Sequence, residues 1–187
     1  MGRMRGVAER PAGLTYQPEL IGPDEERSLL TALGAFEFRE VRMHGRIARR
    51  TVRQFGFDYD YGSYQLTAAE ALPVELHGVR ERCAALADVP AVALAQALVT
   101  RYPRGSVIGW HRDAPAFGPT VVGLSLGADC LLRFQRGEGD DRRVYEVQLA
   151  ARSAYVLSGA ARASWQHSIP PVPGLRYSIT FRQLRTP

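Results

Sequence analysis

Residues 91–113 read AVALAQALVTRYPRGSVIGWHRD, two extended runs joined through Pro103-Arg104-Gly105. A proline and a glycine inside a short polar break are a turn signal between strands. Working outward, strand-like runs follow at 121–126 (VVGLSL), 130–135 (CLLRFQ), 143–149 (RVYEVQL), 153–158 (SAYVLS) and 175–184 (LRYSITFRQL), separated by Gly-, Pro- and Asp-rich connections. Upstream, LTYQPELI (14–21) reads as an opening strand. A helix is expected from Pro23, with Asp24, Glu25 and Glu26 in its first turn, Leu29, Leu30 and Leu33 as its apolar stripe and Gly34 at its end. A second helix is expected over 73–88, carrying Leu76, Val79, Cys83 and Leu86 at spacings of three and four. Helices confined to the first half and closely spaced strands in the second point to a mainly β fold with flanking helices. The expected form is a double-stranded β-helix (jelly roll) whose N-terminal helices support one sheet. One domain is expected over 1–187, its jelly-roll core at about 91–187.

The second extended run ends in His111 and Asp113. On a strand, positions i and i+2 share a face, so an imidazole and a carboxylate would be presented together. His167, in SWQHSIPP, is the candidate third ligand. Two histidines and one carboxylate occupy one face of an octahedral ion and leave positions open, the set associated with non-haem Fe(II) oxygenases. Taken alone, His167 reads first as the cap of a loop before Ile169-Pro170-Pro171, and His44 and His77 read as turn and surface residues. Strict alternation in Arg176-Tyr177-Ser178-Ile179-Thr180-Phe181-Arg182 sends Arg176, Ser178, Thr180 and Arg182 to one face. That face either lines a cavity or is solvated. The two arginines would be roughly 20 Å apart at Cα, which leaves room for a short diacid between inward-leaning guanidiniums. Gly123-Leu124-Ser125-Leu126-Gly127 matches the G-x-S-x-G pattern of hydrolase nucleophiles, but strand-like sequence follows where a helix is required, so Ser125 reads as structural.

All 24 basic residues are arginine and the formal charge is +5, a balance that favours polyanionic partners such as nucleic acid. Residues 36–64 interleave arginines with aromatic rings, as suits phosphates and stacked bases. Alternation in FGFDYDY places Phe55, Phe57, Tyr59 and Tyr61 on one side of a single strand, as a groove or as ordinary core. Cys83 and Cys130 form neither a disulfide framework nor a paired-cysteine zinc site. The basic first residues lack the apolar run of a signal peptide, and nothing approaches a membrane span, so a cytoplasmic monomer is expected.

Five ordered elements resemble the AlkB family of Fe(II)- and 2-oxoglutarate-dependent dioxygenases: Arg101-Tyr102, His111 with Asp113, V-x-L-S-L-G at 122–127, His167, and R-Y-x-x-T-F-R at 176–182. A weaker echo, RQFGFDY, lies at 53–59. The resemblance implies iron ligation by His111, Asp113 and His167. It implies cosubstrate contacts by Tyr102 and Arg176, the latter at the distal carboxylate, with Arg182 near the metal-side carboxylate. Thr100 and Ser178 stand where bacterial repair members usually have asparagine, and both retain hydrogen-bonding capacity. Pro115 follows the metal run where the repair enzymes carry acidic pocket residues. A substrate lid is expected at about 40–64, with Arg50, Arg53, Phe57, Asp58 and Tyr59 as its contacts. The implied cofactors are Fe(II), 2-oxoglutarate and O2, and the implied reaction is oxidative demethylation of alkylated bases in DNA or RNA, releasing succinate, CO2 and formaldehyde. The alternatives are the same chemistry on a protein side chain or small molecule, and, further off, a non-catalytic jelly-roll binding module or a zinc hydrolase.

Overall fold

Proline at position 18 has no amide hydrogen to continue a ladder, and the opening strand stops before it. The computed structural model describes residues 9–43, 46–60 and 62–185, so His44 and Tyr61 lie outside the described residues. In chain order the elements are β1 (Leu14–Gln17), α1 (Pro23–Gly34), β2 (Arg39–Met43), β3 (Arg46–Phe55), β4 (Phe57–Asp60), β5 (Gln65–Ala68), α2 (His77–Leu86), β6 (Gln96–Tyr102), β7 (Ile108–His111), β8 (Phe117–Gly127), β9 (Cys130–Arg136), β10 (Arg143–Leu149), β11 (Ala154–Leu157), α3 (Gly159–Ala163), β12 (Gln166–Ile169) and β13 (Arg176–Leu184). A 3-10 turn over Val74–Leu76 leads into α2, and another over Ala91–Ala93 delays the start of β6.

Seven strands form a major sheet in the order β1-β11-β8-β13-β6-β3-β2, and four form a minor sheet in the order β10-β9-β12-β7. Every pairing is antiparallel, and the two sheets make the expected double-stranded β-helix. Leu29 and Leu33 of α1 and Val79 and Cys83 of α2 pack with Phe55, Val99, Val122, Leu124, Ile179 and Phe181 on the outer face of the major sheet. Each fully buried Leu, Ile or Phe there contributes about 1.5–3 kcal/mol, which is why the two helical stripes seat on this sheet. A second core, including Val121, Leu132, Phe134, Leu149 and Trp165, fills part of the space between the sheets. No helix among the described residues is long and apolar enough to cross a membrane.

The polar face of β13 points into that interior. Arg176 is 1% exposed and Arg182 5%, so the alternative of a solvated strand face is excluded. Buried guanidiniums require partners, and those partners make the site.

The expected single aromatic strand over 55–61 is broken. Gly56 has φ +76, a left-handed conformation that a side chain would strain, and its Cβ position would lie 2.1 Å from the Ala95 carbonyl oxygen. The kink ends β3 at Phe55 and starts β4 at Phe57, which pairs with β5 in a separate two-stranded ribbon. Phe55 therefore packs with Phe36 in the helix-covered core, whereas Tyr59 packs against Phe117.

Candidate active site and metal centre

β7 and β12 are neighbours in the minor sheet, and His111 and His167 face each other directly in register, their ring centroids 4.2 Å apart. His167 is thus a strand residue, not the cap of a loop. Asp113 departs from expectation in the other direction: β7 ends at His111, and Asp113 lies two residues past it in irregular chain. β7 is the edge strand and β12 extends only to Gln166 beyond this pair, so no ladder remains to hold Asp113 extended. Its carboxylate still returns to the imidazoles, with Oδ2 3.7 Å from His167 Nε2.

Two arginines fix that geometry. Arg182 Nη2 is 2.7 Å from Asp113 Oδ1, in a pair where both side chains are nearly enclosed. Arg162, in α3, donates from Nη1 to the Asp113 carbonyl (3.2 Å) and from Nη2 to the carbonyls of Ala114 (3.1 Å) and Phe117 (3.2 Å). One planar fork thereby clamps the segment that lacks a ladder. Arg162→Ala is expected to weaken divalent metal binding roughly 10–100-fold, as loss of a ligand-orienting partner does, while Arg162→Lys restores little because an ammonium lacks the fork. Titration with Co(II) measures this without turnover, and unchanged affinity would remove Arg162 from the site.

The electrostatics suit a cation. Burial alone would raise the Asp113 carboxyl, but Arg182 foremost, then His167, His111 and Arg162, hold it down at about 2. Burial takes His167 down to about 3 and also lowers His111, so both rings are neutral near pH 7 and keep a lone pair to donate. His111 Nδ1 lies 2.9 Å from the Gly109 carbonyl; since a carbonyl only accepts, Nδ1 carries the proton and Nε2 keeps the lone pair available to a metal. Among the described residues no three His, Cys, Asp or Glu side chains stand at coordinating geometry.

The cosubstrate candidates share the inner face of the major sheet. Arg176 sits opposite Tyr102 on β6 and Gly127 on β8, and Ser178 opposite Thr100 and Ser125. The Arg176 guanidinium lies 4.8 Å from the Tyr102 ring centroid, and its Nε donates to Ser125 Oγ at 3.0 Å. Ser125, set aside as a nucleophile, instead orients this arginine. Arg176 Nη1 is buried with no hydrogen-bond partner among the described residues. An unpartnered guanidinium nitrogen inside the barrel, beside a His-His-Asp donor set, fits an anionic chelating cosubstrate next to a divalent metal.

The five expected lid contacts divide. Arg50 is directed inward, donates to the Val107 carbonyl at 3.2 Å and is close enough to His111 to lower its pKa. Arg53 is a correction: it lies on the opposite face of β3, ion-paired with Glu70 and placed over Phe55. Phe57 is half-buried, and Tyr59 is 4% exposed against Phe117 rather than open to a groove. Asp58 accepts from Arg39 and Gln54. Gln54 and Gln96, which sequence alone did not mark, extend that contact inward: Gln96 Nε2 donates to Gln54 Oε1 at 3.0 Å, and Arg182 Nη1 donates to Gln96 Oε1 at 3.5 Å. A buried polar chain thus joins the β4–β5 ribbon to the arginine beside Asp113.

His111 and His167 on the minor sheet, with Asp113 just past it, offer the two-histidine, one-carboxylate donor chemistry associated with non-haem Fe(II) oxygenases. The chain belongs to the 2OG-Fe(II) oxygenase superfamily, whose family profile matches residues 13–182. Within it the chain is AlkB-like. It is 28% identical over 174 residues to tRNA (carboxymethyluridine(34)-5-O)-methyltransferase ALKBH8 of Mus musculus, covering 89% of this chain and 25% of that protein. It is 28% identical over 181 residues to the alkylated DNA repair protein ALKBH8 homolog of Arabidopsis thaliana, covering 84% and 51%. The chain therefore spans about a quarter to a half of the length of these relatives. Its fold matches the solved structure of OsALKBH1 with a TM-score of 0.68 at 17% identity, covering 94% of this chain and 98% of that one. It also matches a Pseudomonas putida prolyl-4-hydroxylase with a TM-score of 0.62 at 17% identity, covering 92% and 93%. Membership makes the protein an enzyme using Fe(II), 2-oxoglutarate and O2.

Proposed function

We propose that this oxygenase demethylates alkylated bases in nucleic acid, with His111, Asp113 and His167 as iron ligands. Bound Fe(II) supplies the activation of O2: one oxygen atom goes to 2-oxoglutarate, giving succinate and CO2, and the other to an N-methyl group, which leaves as formaldehyde. The chain's own residues position and exclude. Arg176, set by Ser125 and stacked over Tyr102, takes the distal carboxylate. Arg182 holds Asp113 and stands by the metal-side carboxylate, with the hydroxyls of Thr100, Tyr102 and Ser178 along the same face. Arg162 keeps the Asp113 segment in place.

The observation that carries the oxygenase assignment of these residues is the burial of both β13 arginines opposite the His111–His167 pair. The nucleic-acid substrate rests on relatives named for transfer-RNA modification and alkylated DNA repair, and on the all-arginine basic charge. Arg50 is the expected lid contact whose charge reaches His111. A base must leave its stack to reach the site, and the arginine-bearing β2–β3 edge and the β4–β5 ribbon are where it would be received. The same chemistry on a protein side chain is the second reading, favoured by the internal pairing of Arg53 and Asp58, which removes two contacts from the expected groove. We place the enzyme in the cytoplasm.

A screen of methylated oligonucleotides, transfer RNA and methylated peptides for formaldehyde and succinate formed in equal amounts tests the substrate. Stoichiometric formaldehyde from a methylated nucleic acid is expected. Coupled turnover on peptides alone would replace that substrate class, and no 2-oxoglutarate turnover with Fe(II) under air would remove the activity altogether.

A further inference from the structure

β11 lies beside β8, and in their register Tyr155 faces Gly123, which in turn faces Thr180 on β13. These three residues form one row across the inner face of the major sheet, and Thr180 belongs to the stretch of β13 between Arg176 and Arg182. The Tyr155 ring lies directly upon Gly123. A Cβ at position 123 would stand 2.4 Å from Cε1 and Cζ and 2.6 Å from the hydroxyl oxygen of Tyr155, distances no real side chain allows. Glycine there opens a lane through which the phenol crosses β8 toward β13.

The residue is 8% exposed, and its hydroxyl reaches the inner face over Gly123. A phenol so placed brings one hydrogen-bond donor to the inner face between the two β13 arginines. Its row, through Gly123 to Thr180, lies between those of Arg176 and Arg182, and Asp113, Arg176, Tyr102 and Cys130 are near enough to influence it. Burial pushes this phenol's pKa up, and at neutral pH it is protonated and able to donate.

We propose that Tyr155 is a further cosubstrate-binding residue, its ring walling the dicarboxylate pocket over Gly123 and its hydroxyl donating a hydrogen bond to a carboxylate of the bound keto-diacid. This rests on the assignment of Arg176 to the same cosubstrate. Neither the His-x-Asp pair nor the arginine motif marks Tyr155; the contact exists because β11 is threaded beside β8.

The test is an anaerobic titration of the Fe(II)-loaded protein with 2-oxoglutarate, followed by the visible absorption of the ferrous–keto acid chelate, on wild type, Tyr155→Phe, Gly123→Ala and Arg176→Ala. Tyr155→Phe is expected to weaken 2-oxoglutarate binding about tenfold, the scale of one hydrogen bond to a charged group. Fe(II) affinity should be unchanged, and the melting temperature without ligand close to wild type, because the ring and its packing on Gly123 are kept. Gly123→Ala, which must displace the ring, should weaken binding at least as much. Wild-type affinity in Tyr155→Phe alongside a loss in Arg176→Ala overturns the role of Tyr155 alone. A lowered melting temperature with unchanged 2-oxoglutarate affinity makes the residue structural and also overturns it. Unchanged binding in Arg176→Ala overturns the cosubstrate site itself, and this inference with it.

Discussion

Replacing Asp113 by alanine is expected to reduce Fe(II)-dependent succinate formation to background. Loss of a partner that merely orients a ligand costs about 10–100-fold in metal affinity or activity, and loss of a ligand should exceed that range. The change also strips Arg182 of its counter-charge inside the protein. Both side chains of that pair are almost fully enclosed, with side-chain exposures of 6% and 4%. Leaving one half of a buried ion pair alone costs about 3–5 kcal/mol. At roughly 2–4 °C per kcal/mol for a chain of this size, the melting temperature should fall by about 10 °C. Asp113→Asn separates the two effects, since it keeps the volume and a hydrogen-bond acceptor for Arg182 while removing the anionic ligand. Succinate release measured under air with Fe(II) and 2-oxoglutarate checks the prediction, and near wild-type turnover by either variant would dismiss Asp113 as a ligand.

The second large effect is expected at Arg176. Its guanidinium offers an unpartnered Nη1 while Ser125 and the Tyr102 ring fix its plane. Two charge-assisted hydrogen bonds to a carboxylate, at about 1.5–3 kcal/mol each, predict at least a ~100-fold rise in the 2-oxoglutarate concentration needed for half-maximal turnover in Arg176→Met. Methionine fills much of the same space, so the barrel should stay closed. Arg176→Lys should fall between the two, because a point charge keeps the attraction without the bidentate fit. Metal affinity should hold in both variants. An unchanged half-saturating concentration in Arg176→Met would transfer the distal carboxylate to another group.

The parts of this molecule that local pattern could reveal were those whose cause is local. The helical stripes at Leu29–Leu33 and Val79–Cys83 follow from the 3.6-residue period; α1 falls where that period placed it, and α2 covers His77–Leu86 of the expected 73–88, with Leu76 in the 3-10 turn before it. The two-residue alternation of β13 divides Arg176, Ser178, Thr180 and Arg182 from Tyr177, Ile179 and Phe181 in the sequence itself. Local pattern failed where a long-range partner sets the conformation. β12 is four residues of Gln-His-Ser-Ile with no apolar period, and it is a strand because β9 and β7 flank it on both sides. Asp113 leaves the strand because the neighbouring ladder ends, and Arg162, 49 residues further along the chain, reaches it only because the fold brings α3 to the segment. The lid residues misled because Gly56 reverses which core each aromatic ring joins.

By itself the sequence determined the chemistry: which side chains can ligate iron, which can hold a dicarboxylate, and which of them share a face. Only the tertiary structure decided that this polar face turns inward, that His167 meets His111, and that Tyr155 lies across Gly123. The physical reason is that a period of two is the same pattern whichever face is buried, and the choice is made by the sheets and helices that pack on either side.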